Sequence, residues 1–190
     1  MKTPATETTF RIGAVEGDAY ANKFFGVEFA LPEDFSFYSA DQLAEMNAAI
    51  ANTNKDQAVV EAYEGGSAFF DMAAVSESDP NDSVVMQIAG PDPEAAAMDE
   101  AGYIEAIKSN IIAQLKDAGA AVKASEAGMY ANQKTGDEFA AMRLAIELQG
   151  DPLYEEILCI KAGDCFMNVT ATATGEAELD SVLSHLTRIG

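Results

Sequence analysis

Phe25, Val27, Phe29 and Leu31 alternate with Gly26, Glu28 and Ala30, and Pro32 follows at once. No other stretch of this chain limits its folding as tightly. A period of two puts the four large apolar groups on one face of a pleated strand, so that face must meet a core. Proline has no N–H to give to a ladder, so the strand ends at Pro32. Phe35 and Phe37 resume the alternation briefly. Ser39 followed by Gln42 is a capping box, which opens a helix.

The rest of the chain can be read in the same way. Leu43, Met46 and Ile50 share a helical face, and a break falls near Asn52 to Lys55. A second helical piece carries Val59, Val60 and Tyr63, and Gly65-Gly66 stops it. Ala68–Ser76 is a strand with Phe70, Met72 and Ala74 on one face. It turns through residues 78–82 and returns as Ser83–Ala89, forming a hairpin. A loop at 90–93 leads to a helix from Asp99 to Ala118, striped by Ile104, Ile107, Ile111 and Leu115 and closed by Gly119. Ala121–Ser125 is a short strand. Glu138–Gln149 is a strong one, with Met142, Leu144, Ile146 and Leu148 alternating against Arg143, Ala145 and Glu147. Leu153–Lys161 and Cys165–Ala173 form a hairpin around Ala162-Gly163-Asp164. The last helix, Glu176–Ile189, turns Leu179, Val182, Leu183 and Leu186 inward. This order is α+β: a single twisted, mostly antiparallel sheet of about six to seven strands with about three helices packed on it. Residues 1–11 read as a flexible leader and residues 12–190 as one domain.

The stretch from Gly13 to Asn47 reads Gly-Ala-Val-Glu-Gly-Asp-Ala-Tyr-Ala-Asn and then Phe-Phe-Gly-Val-Glu-Phe-Ala-Leu-Pro. It is similar to the opening of small extracytoplasmic lipoprotein domains of Gram-positive bacteria. Those domains resemble the PsbP/Mog-like α/β fold, which an extrinsic photosystem subunit and a Ran-binding protein share. The resemblance implies that fold. It also implies a precursor with a signal segment and a lipid-anchoring cysteine upstream of Met1, and an extracytoplasmic, membrane-anchored address. No residue of the photosystem or Ran-binding sites is found here, so neither activity is implied. The alternative address is cytoplasmic, for a protein that starts at Met1, because Met1 to Thr9 is polar and lacks the apolar core of a signal peptide.

Charge narrows the partners. The chain of 190 residues carries 32 acidic and 11 basic residues, a formal net charge of −21. Repulsion disfavours nucleic acid and anionic lipid surfaces, and it favours solubility and cationic partners. No apolar run is long enough to span a bilayer.

Candidate chemistry is sparse. Cys159 and Cys165 are the only cysteines. A three-residue loop would pair Lys161 with Cys165 and Cys159 with Met167, leaving the two cysteines as diagonal neighbours on one face. A disulfide would then need a longer loop or a bulge; the other reading is two buried thiols. A zinc site or a thioredoxin-type pair does not fit the spacing. His185 is the only histidine and lies on the expected last helix, where it reads as a partly exposed surface residue. Asp79 and Asp82, with Asn81 between them and Glu77 nearby, offer hard oxygen ligands of the kind that hold calcium. They lack the EF-hand pattern, and a solvated turn is the better reading. No nucleophile motif, phosphate-cradling loop or cofactor signature is found.

The reading that results is a non-enzymatic binding or accessory domain of a cell-envelope lipoprotein, presenting an acidic surface to a protein, peptide or other envelope ligand. Two alternatives stand beside it: a hydrolase or isomerase built on scattered carboxylates, and a cytoplasmic regulator that binds a basic protein partner. Neither the ligand nor the oligomeric state is legible.

Overall fold

A computed structural model describes residues 12–47, 68–89 and 93–189. The expected leader, the Ile50 end of the first helix and the helical piece around Val59, Val60 and Tyr63 lie outside these residues.

β1 (Ala14–Glu16), β2 (Ala19–Asn22) and β3 (Val27–Ala30) form an antiparallel meander. Alternation decides which side goes inward: Tyr20, Phe25, Val27 and Phe29 are buried. Gly26 makes the turn at φ 66, and a Cβ there would come within 3.2 Å of the Ile189 carbonyl oxygen, so both the backbone angle and the close approach favour glycine. Beyond Pro32 the chain crosses to a second sheet as β4 (Phe35–Phe37). α1 (Ala40–Met46) starts on the capping box read from the sequence: Ser39 Oγ accepts from the Gln42 amide at 3.3 Å, and Gln42 Oε1 accepts from the Ser39 amide at 2.8 Å.

β5 (Phe69–Ser76) and β6 (Ser83–Ala89) form the expected hairpin. Its inward face differs from the simple alternation. Phe70 pairs with Gln87 and Met72 with Met86, so Asp71 is the extra residue of a bulge. The bulge shifts the period, and Phe69 rather than Phe70 joins Met72 and Ala74 in the core.

α2 (Pro93–Ala96) is a single turn, and α3 (Glu100–Asp117) is capped by Asp99, whose Oδ1 accepts from the Gly102 amide at 2.8 Å. Four antiparallel elements follow, of which the first three are β7 (Ala121–Ala131), β8 (Glu138–Leu148) and β9 (Asp151–Ala162). β10 (Cys165–Ala173) is the fourth. β7 is longer than its expected range because it lies at the sheet edge. Most of its side chains stay exposed, and apolar alternation is a poor guide to such a strand.

α4 (Glu176–Leu183) ends earlier than expected, and β11 (Leu186–Arg188) takes the place of its last turn. Leu186 satisfies both periods. It is buried as a strand residue opposite Phe29, where β11 supplies the hydrogen bonds that the edge of β3 would otherwise lack.

The α+β, mostly antiparallel architecture is as read, but it uses two sheets. One has seven strands in the order β4-β5-β6-β10-β9-β8-β7; the other has four in the order β1-β2-β3-β11. Four helices lie among the described residues. The small sheet and α4 cover one face of the large sheet, closing a core that includes Phe29, Phe69, Phe139, Met167 and Leu183. α3 covers part of the other face, with Ile104, Ile107 and Ile111 against Met142, Leu144 and Phe166.

Candidate functional site

Arg143 on β8 stands directly opposite Glu156 on β9. Opposite charges at such a pair attract across the ladder. Arg143 donates to Glu156 Oε2 from Nε at 2.9 Å and from Nη2 at 2.5 Å, and Nη2 also donates to Asp180 on α4. Glu156 is only 4% exposed. Burial pushes its carboxyl up, while the hydrogen bond and charge of Arg143 pull it down. Both carboxylates are therefore committed to one guanidinium, which neutralises much of their charge.

Beside this triad the sheet surface is hollow. Gly128 on β7 pairs with Ala141 on β8, and a Cβ at Gly128 would meet nothing within 4 Å. The two small residues floor a cleft of about 480 Å³, bounded by Tyr130, Arg143, Glu156 and Asp180. Burial first, and then the charges of Asp180 and Glu156, push the Tyr130 hydroxyl up to about 12, so it stays protonated and able to donate. Met129 stands at the rim, 61% exposed.

The cleft lies along the end strand of the large sheet. Among the described residues β7 pairs with β8 alone, which leaves a backbone edge of eleven residues. Lys123 marks a bulge near the start of β7 and makes an ion pair with Glu147 at 3.3 Å. A bulge and a lysine are both common guards of an exposed edge, and they leave the Ser125–Ala131 half regular.

A second polar cluster has an architectural task. The bulge aims the Asp71 carboxylate at the small sheet. There it accepts from the Tyr20 hydroxyl at 2.5 Å, from Asn22 Nδ2 at 2.9 Å and from the Gly13 amide at 2.9 Å. Asn22 Oδ1 meanwhile accepts from the amides of Phe24 and Phe25, holding the turn before β3. Burial pushes the Asp71 carboxyl up despite these three donors, and burial and the charge of Asp71 push the Tyr20 hydroxyl up as well. The cluster clips the two sheets together.

The residues singled out in the sequence do not converge. The β9–β10 loop is the two-residue Gly163-Asp164, one shorter than expected, with Gly163 at φ 58 as a tight hairpin turn requires. Cys165 then pairs with Ala162, and Cys159 with Asn168 rather than Met167. This corrects the shared face: Cys165 belongs to the core under the small sheet and Cys159 to the core under α3. Both are thiols, and the sheet itself stands between them. Burial pushes the Cys159 thiol up to about 12.

His185 lies in the turn between α4 and β11 rather than on the helix, and its carbonyl accepts from the Ala30 amide at 3.1 Å. Burial, with Lys134 nearby, holds its imidazole below the usual value. Asp79 Oδ1 accepts from the amide of Asn81 at 2.9 Å, and Asp82 Oδ1 accepts from the Thr174 amide at 3.0 Å. These acids tie the turn down, and among the described residues no group of three or more metal-ligating side chains comes together.

Asp71, Arg143 and Glu156 were not singled out in the sequence. The signals were small: a lone arginine in an alternating strand, and two consecutive glutamates inside an apolar one.

No family model matches the chain, and no curated protein matches it. Solved structures do. The solution structure of cyanobacterial PsbP (CyanoP) from Synechocystis sp. PCC 6803 superimposes over 98% of both chains at a TM-score of 0.54, with 10% identity. A crystal structure from Bacteroides thetaiotaomicron matches 93% of this chain and 50% of its own length, at 9% identity and a TM-score of 0.43. The fold is therefore PsbP-like, as the opening of the chain implied. At 10% identity the likeness carries the fold alone.

Proposed function

We propose that this protein is a non-enzymatic binding domain of the cell envelope that captures an extended, basic segment of a partner protein along the outer edge of β7. The observation that carries the reading is the placement of the cleft beside that edge. An added strand would find main-chain partners along β7, and a side chain from it would reach the hollow over Gly128. Glu126 also lines the hollow, the Arg143–Glu156–Asp180 triad keeps one net negative charge, and the chain's net charge is −21; all three suit a cationic side chain. Glu156 and Asp180 are held by Arg143, which favours recognition over acid–base work by that pair. The envelope address rests on the resemblance of the Gly13–Asn47 stretch. A signal segment with a lipid-attachment cysteine, encoded upstream of Met1, is what it requires.

Gly128→Leu tests the site. Gly128 has open space at Cβ and no positive φ, so the variant should fold and fill the hollow. A photo-cross-linking residue at exposed Met129 should trap one partner from envelope extract with the wild-type background and lose it with Gly128→Leu. Trapping that survives Gly128→Leu would refute the cleft.

A further inference from the structure

The open edge of β7 has a definite order of main-chain groups. Just past the strand, the Asn132 amide donates to the Asp137 carbonyl at 2.8 Å, so Asn132 turns its main chain toward the β8 side. Successive residues of a strand turn their main-chain groups to alternate sides. The register with β8 is unbroken from Ala124 to Ala131, so the alternation carries back along β7. Tyr130, Gly128 and Glu126 therefore face β8, and Ser125, Ala127 and Met129 turn their N–H and C=O groups to the open side. Ala131 fits the same order: its carbonyl accepts from Gln133 Nε2 at 3.1 Å, which closes the edge at that end.

Side chains follow the same period. Glu126, Gly128 and Tyr130 stand opposite Arg143, Ala141 and Phe139 and lie on the cleft face. Ser125, Ala127 and Met129 lie on the α3 face, and none of them carries a charge. Glu126 is directly opposite Arg143, yet Arg143 is taken by Glu156 and Asp180. Glu126 is exposed, and among the described residues its carboxylate has neither an ion pair nor a hydrogen bond.

An antiparallel strand bonded to Ser125, Ala127 and Met129 would meet Glu126 and Gly128 as non-hydrogen-bonded pairs. In such pairs the Cα atoms are about 4.5 Å apart and the side chains closest. A basic residue opposite Glu126 gains a cross-strand ion pair. The residue two positions away stands opposite Gly128, where open space at Cβ lets a long side chain lie over Gly128 and Ala141, beside the net negative triad. The residue between them faces the other way, opposite Ala127 and beside exposed Met129, where an apolar side chain fits.

We propose that the β7 edge selects an antiparallel strand with two basic residues separated by one apolar residue, one basic side chain paired to Glu126 and the other over Gly128. The selection rests on the strand addition proposed above and narrows the partner: of two adjacent basic residues, one would turn to the uncharged face.

Two capped heptapeptides of identical composition test this on the whole, isotope-labelled chain at fixed ionic strength: TVKVKVT, with the lysines two apart, and TVKKVVT, with the lysines adjacent. TVKVKVT should bind about fivefold more tightly, the upper range for a cross-strand ion pair. It should slow amide exchange at Ser125, Ala127 and Met129 and leave Glu126, Gly128 and Tyr130, already turned to β8, unchanged. Glu126→Gln, a change at an exposed side chain, should weaken TVKVKVT by about two- to fivefold and shrink its advantage. Equal affinity of the two peptides, with Gly128→Leu weakening both, would overturn the selection and leave strand addition at this edge standing. Binding of neither peptide would overturn strand addition, and the selection with it. Protection that misses the three outward amides, or an undiminished advantage in Glu126→Gln, would overturn the pairing.

Discussion

Glu155 and Glu156 are neighbours in sequence, and they point to opposite faces of β9 into opposite circumstances. Glu156 is nearly buried and holds a guanidinium. Glu155 faces the α3 side and holds nothing among the described residues. Asp71 is a third case: a half-buried carboxylate with three hydrogen-bond donors and, among the described residues, no cation. Burial raises all three carboxyls, so burial does not distinguish them. Their partners do. Asp71 and Glu156 have their partners built into the architecture, while half-buried Glu155 keeps access to solvent.

The comparison can be broken at each carboxyl. Asp71→Ala should have the largest effect. It strands the Tyr20 hydroxyl, Asn22 Nδ2 and the Gly13 amide without their acceptor, at a cost of about 3 kcal/mol. Urea unfolding measures it, and a loss below about 1 kcal/mol would mean the clip is not what joins the sheets. Arg143→Met should follow, costing about 2 kcal/mol, because it leaves Glu156 buried without its cation. The double variant Arg143→Met, Glu156→Leu should recover most of that loss; no recovery in thermal melts would show that the pair matters for another reason.

Glu155→Gln should act in the other direction. The folded carboxyl titrates near 7 against an ordinary value of 4.5, so the folded chain holds a proton that the unfolded chain has already released. The stability linked to that proton is present below the unfolded value and is lost as pH rises through about 7. The variant should therefore match the wild type near pH 4 and be more stable by about 1–2 kcal/mol near pH 8. Equal stability at both pH values would remove Glu155 from the comparison. The smallest effect is expected at Gly128→Ala, within about 0.5 kcal/mol, since its Cβ enters open space. A larger loss would mean that the cleft floor is tighter than its geometry.

Much of the fold was legible because periodicity reports burial. Val27 and Phe29 lie inward as read, α1 begins at Ser39, and α3 carries its apolar stripe between Asp99 and Gly119. The misreadings share a cause. At Asp71 one extra residue resets a period of two, at Gly163 one fewer loop residue turns Cys159 to the other face, and at Leu186 a helical and a strand period coincide. Each depends on pairing with a distant segment. The cleft was hidden for the same reason: Gly128, Arg143 and Asp180 are far apart in sequence and meet only through strand register and helix docking.

By itself the sequence determined most of the element types, the inward faces of the long strands, the capping of the first helix, the strong negative charge and the likeness to a PsbP-like domain. Local sterics, alternation and side-chain chemistry act over a few residues, so a few residues suffice to read them. Tertiary structure alone decided that a small second sheet closes over the large one, that Asp71 joins them, that the two cysteines face apart, and that among the described residues Glu156 has a partner and Glu155 has none. Those outcomes rest on register, in which one residue more or less exchanges the two faces of a strand.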